Sequence, residues 1–413
     1  MLTTEQKQQF SEILEELGKS LDISETQFNI AVSSYQAVGE QLSKVGGILA
    51  PYRPEILPQG SFMLGTMVKP INEDDYLDID LVCNLIGKNR GWTQKDLKKN
   101  VGDQLKQNEL YKSKVKLKDG RRCWTLYYRE TSDNPNDKYH LDILPSIVDS
   151  NYRLMFTESL KSSSSLGEVG KLAIRITDKE RDDFPYETDH TNWLKSNPFG
   201  YAKWFFNRAE VSSTRKIMLT EAIKPVPKFQ ENKLPLQRVV QILKRHRDMM
   251  FNGDENKPIS IIITTLAARA YNKEENVLDA LINVVQRMPD FIDDWYSKEE
   301  GKWIKRIANP VNEEENFADK WVKYPQRQYN FFEWMKRVQE DILSMIGRKG
   351  LHNIQEAMSG SFGNTTVKKA FSNYGEQSRL LRESGSMKMA SNTGMLGTIG
   401  STVKNHDFHG KKD

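Results

Sequence analysis

Two aspartates one residue apart, Asp78 and Asp80, sit in a run where Leu77, Ile79, Leu81, Cys83 and Leu85 alternate with Asp78, Asp80, Val82 and Asn84. Such alternation predicts a strand with one apolar face, so both carboxylates point the same way. Ionised carboxylates this close repel one another unless a cation lies between them, and hard oxygen ligands favour magnesium or manganese. Upstream stands Gln59-Gly60-Ser61. Glycine lets a backbone come close to a ligand, and the Ser61 hydroxyl with the neighbouring amides can hold phosphate oxygens. Phosphates and metal would then meet at one edge of one sheet.

That order, Gly-Ser and then a strand carrying hydrophobic-Asp-x-Asp-hydrophobic, resembles the nucleotidyltransferase superfamily of DNA polymerase beta, whose third carboxylate comes from a later strand. Asp142 meets that requirement, in Tyr139-His140-Leu141-Asp142-Ile143-Leu144-Pro145. There Tyr139, Leu141 and Ile143 form one face, and Asp142 faces the other way with His140 and Leu144. The aromatic-rich run RCWTLYYR, Arg122 to Arg129, reads as the partner strand, and SDNPNDK between them as a turn-forming loop.

The rest of the chain must position these residues. At 413 residues it is long enough for two domains. No apolar run approaches a membrane span, and MLTTEQKQQF lacks the charged-then-apolar order of a signal peptide, so a cytoplasmic protein without a membrane partner is expected. Cys83 and Cys123 are the only cysteines, which excludes a disulfide framework. A formal net charge of +4 is too mild for a protein that depends on nucleic-acid backbone attraction, so strong nucleic-acid binding is not expected.

Thr4 to Gly18 reads as a short helix. Ser24 with Gln27 forms a capping box for a long helix over residues 24 to 45, whose stripe of Phe28, Ala31, Tyr35, Val38 and Leu42 either packs on the sheet or joins two lobes. Lys88 to Tyr111 is lysine-rich with helical spacing and reads as a solvated helix along one edge. Ser162 to Ser165 reads as a surface loop, and KLAIRIT, Lys171 to Thr177, as a further strand. From Thr191 the texture becomes helical, with Tyr201, Trp204 and Phe205 at helical spacing after a turn in which Ser196 and Asn197 could read a nucleobase edge.

A linker over residues 221–235 leads to a helix with Leu236, Val239, Val240 and Leu243 buried and Arg238, Lys244, Arg245 and Arg247 around its flanks. Lys244, at the stripe's edge, is the candidate for a polyphosphate tail. Pro258 opens a buried apolar helix, where Ser260 either caps the first turn or contacts phosphate. Further helices cover Val277 to Met288 and Gln328 to Ile346, and from Ser384 the composition reads as a flexible tail.

QGSFMLGTMVKP, DIDLVC, HLDILP, WLKSNPFGYAKWF, PLQRVVQILKRHRD with KPISIIITTLAA, and NPVNEEENFADKW together resemble the bacterial CD-NTase family. These are the cyclic GMP-AMP synthase and DncV-like nucleotidyltransferases of CBASS anti-phage defence. The resemblance implies an α+β fold: a polymerase-beta-like nucleotidyltransferase sheet domain and a helical second domain, two lobes around a central cleft. It divides the chain into a catalytic core with an N-terminal spine helix at residues 1–185, a helical nucleotide-binding domain at 186–383 and a tail at 384–413.

The same resemblance implies an enzyme that joins nucleoside triphosphates, ATP or GTP among them, into a cyclic di- or trinucleotide that activates a companion effector. Asp78, Asp80 and Asp142 would hold two magnesium ions, with manganese as the other fitting ion. Asp142 would draw the acceptor proton. Gln59, Gly60 and Ser61 would grip the donor triphosphate, Lys244 and Ser260 would reach its distal phosphates, and Ser196 and Asn197 would contact a base. The chain lacks the His and Cys cluster of the animal enzyme's zinc thumb, so DNA activation is not implied. HDFHG, before Lys411-Lys412-Asp413, resembles an ending joined to other molecules by ubiquitin-like conjugation machinery. Two other activities share this cleft: a linear oligonucleotide synthetase of the oligoadenylate type, and a catalytically inactive nucleotide-sensing module. A polymerase working along RNA calls for a longer basic track than this chain carries.

Overall fold

The computed structural model describes residues 2–72, 76–109, 111, 116–129, 138–149, 152, 155, 158, 169–210 and 229–403. The loop expected at 132–137, the serine run at 162–165, the linker residues 221–228 and HDFHG lie outside the described residues.

Seven strands make the principal sheet: β1 (Glu55–Pro58), β2 (Leu77–Ile86), β3 (Lys116–Asp119), β4 (Trp124–Tyr128), β5 (Tyr139–Val148), β6 (Ile174–Ile176) and β7 (Leu194–Ser196). Their order is β1-β2-β5-β4-β3, with β6 on β5 and β7 on β6. Only β2 and β5 run parallel, in an unbroken register from Leu77 opposite Tyr139 to Ile86 opposite Val148. A parallel pair needs a crossover, and the helix Gln94–Lys106 lies in that connection. The alternation expected of β2 holds through Leu81, beyond which both faces are buried.

The helix Glu25–Leu42 begins at Ser24, whose side chain accepts from the Gln27 amide while the Gln27 side chain accepts from the Ser24 amide. Its predicted stripe, Phe28, Ala31, Tyr35, Val38 and Leu42, lies in one core cluster with Ile79, Leu81, Leu141 and Ile143. Of the two placements open to it, the helix takes the sheet.

Two polar helices depart from the solvated reading. Gln94–Lys106 buries Leu97, Val101 and Leu105, and with them Lys98, which donates to the Cys123 carbonyl at 3.0 Å and lies 5.5 Å from the Trp124 ring. Lys95, Lys99 and Lys106 remain exposed as expected. In Pro235–Phe251 all four basic flank residues, Arg238, Lys244, Arg245 and Arg247, are buried. Arg238 donates to Glu15 at 2.9 Å and Asp22 at 2.7 Å. Those partners lie more than two hundred residues away, so helical periodicity could not reveal them.

The chain divides into two contact units that interleave along the sequence. The sheet belongs to Ile23–Gln237 with Asp293–Asp319. That unit also holds two short antiparallel pairs, Asp293–Ser297 with Lys302–Arg306 and Ala308–Asn309 with Asn312–Asn316, inside a stretch expected to be helical. The other unit, Met1–Asp22, Arg238–Ile292 and Lys320–Asp413, is built from helices, among them Thr4–Leu21, Ser260–Ala270, Val277–Arg287, Pro325–Ile346 and Asn364–Glu383. The expected tail departs from an irregular segment: Lys388–Met389 pairs with both Leu396–Gly397 and Ser401–Thr402. Strands of two residues are too short to show a period of two. Among the described residues no helix is long and apolar enough to cross a membrane.

Asp178 ties the loop after β6 to the start of β4. It is buried and accepts from Arg121 at 2.6 and 2.7 Å, from Arg122 at 2.8 Å and from the Glu180 amide at 3.0 Å. Burial alone would raise its pKa, but these donors outweigh it and hold the carboxyl below its ordinary value. A folded pKa below the unfolded one adds stability above the ordinary carboxylate range, lost as pH falls through the folded value. Thermal melts from pH 7 to pH 3 should therefore show Asp178→Asn about 2 kcal/mol less stable at pH 7. The gap to wild type should close as the pH falls below about 4. A gap that stays constant with pH would remove the ionic role.

Candidate active site

The register places the site. Across β4, β5 and β2, Tyr127, His140 and Asp78 form one row, and Thr125, Asp142 and Asp80 form the next. Because alternate residues share a face, all six side chains stand on the side opposite Leu126, Leu141 and Ile79, which are buried. Slipping β5 by one residue would turn Asp142 into the core.

Ligand atoms of Asp78, His140 and Asp142 lie within 4.8 Å of one another. His140 Nε2 is 3.0 Å from Asp78 Oδ1, and Thr125 donates its hydroxyl to Asp142. Burial pushes the Asp142 carboxyl up; the Thr125 hydrogen bond opposes this and the Asp78 charge adds to it, leaving a carboxyl above its ordinary range. For His140, burial favours the neutral ring, but the hydrogen bond and charge of Asp78 with the charge of Asp142 outweigh it, and its pKa is raised. Burial, with the nearby charges of Asp142, Asp80 and Asp78, pushes the Cys123 thiol up to about 12, which leaves no thiolate nucleophile here.

Asp80 faces the glycine-serine turn. The Gln59 amide donates to the Asp80 carbonyl at 2.8 Å, directly after β1 ends at Pro58 opposite Leu81. Gly60 then takes φ +59°, and a Cβ built there would lie 2.4 Å from Asp80 Oδ2. Glycine is therefore needed for handedness and for the neighbouring carboxylate, in addition to ligand approach. Ser61 follows in the short helix Gly60–Leu64. The cluster of oxygen donors fits a hard divalent cation, with a ring nitrogen beside them.

The other predicted residues belong to other elements. Ser196 ends β7 opposite Ile174. Asn197 is buried as the N-cap of the helix Pro198–Ala209: its Oδ1 accepts from the Gly200 amide and its Nδ2 donates to the Val169 carbonyl, both at 2.9 Å. Asn197 therefore serves as a helix cap, a role that Asn before Pro foreshadowed. Lys244 and Ser260 belong to the helical unit. Lys244 is buried, and the Ser260 hydroxyl accepts from Arg247 at 2.9 Å, with Ile259 as that helix's N-cap.

Sequence reasoning did not assign His140 or Thr125 a role. His140 stands two residues before Asp142 and so shares its face, a signal available once the two aspartate strands are paired. Thr125 required the β4–β5 register, which sequence does not supply.

Carboxylates from two parallel neighbouring strands beside a glycine-serine turn, on a mixed sheet with a helical unit, define a nucleotidyltransferase of the polymerase-beta-like fold. Residues 54–145, which contain the three aspartates and the turn, match the family described as cyclic GMP-AMP synthase DncV-like, nucleotidyltransferase domain. The chain is 27% identical over 380 residues to a c-di-GMP synthase of Roseivirga ehrenbergii, covering 90% of this chain and 88% of that protein. It is 21% identical over 379 residues to the cyclic dinucleotide synthase CdnG of Bradyrhizobium diazoefficiens, covering 87% and 81%. The solved structure of B. diazoefficiens CdnG in complex with GTP aligns with a TM-score of 0.61 at 19% identity, covering 88% of this chain and 99% of that one. Residues 54–145 thus carry a DncV-like nucleotidyltransferase domain, and over most of its length the chain is similar to proteins named as cyclic dinucleotide synthases.

Proposed function

We propose that this enzyme joins nucleoside triphosphates, at least one of them a purine nucleotide, into a cyclic di- or trinucleotide with release of pyrophosphate. The observation that carries this reading is the row of Thr125, Asp142 and Asp80 meeting the Gly60 turn, which sets acidic groups against a phosphate-gripping backbone. Asp78, Asp80 and Asp142 would hold two divalent cations, magnesium in the first instance. When bound, such ions lower the pKa of an attacking hydroxyl and brace a leaving pyrophosphate. Asp142 is assigned to accept the proton of the acceptor ribose hydroxyl. Gln59, Gly60 and Ser61 orient the donor triphosphate for in-line attack, and Lys244 and Ser260 are assigned to its distal phosphates.

The named activities of the R. ehrenbergii and B. diazoefficiens relatives support a ring as the product. So does the mild net charge of +4, which suits small substrates better than an RNA track. We place the enzyme in the cytoplasm, in anti-phage defence, upstream of an effector that the product activates. The segment 384–413 is proposed as the part that conjugation machinery acts on.

The test is to incubate the protein with all four nucleoside triphosphates and magnesium, treat with phosphatase and weigh the survivors by mass spectrometry. A resistant species with the mass of a cyclic oligonucleotide is expected, and it would name the bases. Only linear, phosphatase-trimmed products would replace this reading with an oligonucleotide synthetase. Nucleotide binding without any product would point to a sensing module.

A further inference from the structure

Asp78 is the most solvated of the cluster's groups, its side chain 58% exposed. A carboxylate that open samples several rotamers, and ordering it opposes any ligand that needs it in place. Among the described residues its tether is His140, with Nε2 at 3.0 Å from Oδ1.

His140 is itself well held. Its backbone is locked in the parallel ladder opposite Asp78, and its ring packs against both Tyr127 and Tyr76, with centroids 5.5 and 6.1 Å away, the two tyrosine rings themselves lying 5.5 Å apart. Its other nitrogen, Nδ1, is buried with no hydrogen-bond partner among the described residues. A phenyl ring would fill the same space without that orphaned polar atom, whose burial costs about 1–3 kcal/mol. Packing therefore does not require an imidazole here. The polar work of this ring is confined to Nε2, and Nε2 serves Asp78.

We infer that His140 is a positioning residue of the metal site: its Nε2–H holds the Asp78 carboxylate ready for a divalent cation, so its loss weakens cation binding without weakening the fold. The inference rests on the nucleotidyltransferase reading above. Partners that orient a metal-ligating carboxylate typically change metal affinity by about 10- to 100-fold.

Manganese is the probe, titrated into the full chain without nucleotide and followed by loss of the free-ion electron paramagnetic resonance signal. His140→Phe keeps a ring against the two tyrosines and removes the donor, and His140→Gln keeps an N–H near the position of Nε2. His140→Phe is expected to bind manganese about 10- to 100-fold more weakly than wild type, with an unchanged or higher melting temperature. His140→Gln should recover much of the affinity. The inference is overturned if His140→Phe binds as wild type does, if it loses affinity and melting temperature together, or if His140→Gln fails to exceed His140→Phe. A wild-type protein that binds no manganese would instead overturn the reading of the cluster as a metal site.

Discussion

Asp78→Asn combined with Asp80→Asn is expected to leave a folded protein that releases no measurable pyrophosphate, a fall of at least ~10³-fold, because charge stabilisation by a bound divalent ion supplies several kcal/mol of the barrier reduction. The fold should survive for reasons visible at each position. Asp78 is largely solvated, and an asparagine oxygen can still accept from His140. Asp80 anchors the preceding turn through its backbone carbonyl, which accepts from the Gln59 amide whatever the side chain. Removing two like charges from one face also removes repulsion, so the melting temperature should hold or rise. A coupled pyrophosphate assay beside a thermal melt reads both. Undiminished turnover in a folded double variant would take catalysis away from these aspartates.

The parts of this site that could be read from the sequence are those with a local period. Asp78 and Asp80 share a face because β2 alternates, Asp142 faces away from Leu141 and Ile143 for the same reason, and Ser24 with Gln27 marks a helix start within four residues. What escaped is set by partners distant in sequence. His140 gains its role from the pairing of two strands about sixty residues apart, and Thr125 from the β4–β5 register. Lys98 and Arg238 look like solvated helix charges until Trp124 and Glu15 are known to lie against them. Asn197 shows the converse: its position before Pro198 is a local signal for a cap, and the cap is there.

Gly60→Ala should lower turnover by about 100-fold, the loss expected when a reacting group is displaced by roughly 1 Å. Two effects act at this position and a second glycine separates them. At φ +59° any side chain suffers left-handed strain, about 1 kcal/mol of stability, and Gly87, just past β2 at φ +72°, would suffer the same. Around Gly87 nothing lies within 4 Å of an added Cβ, whereas at Gly60 that atom would sit 2.4 Å from Asp80 Oδ2. The neighbour that must give way is the mobile end of a side chain, so the protein can accommodate the alanine by swinging the Asp80 carboxylate out of its row. The fold would tolerate that motion, and the site would lose a ligand. Gly60→Ala and Gly87→Ala are therefore expected to melt at similar temperatures while only Gly60→Ala loses pyrophosphate release and manganese affinity. Equal losses of turnover in the two variants would make backbone strain the cause. A fully active Gly60→Ala would mean that the turn does not bear on Asp80 in the working enzyme.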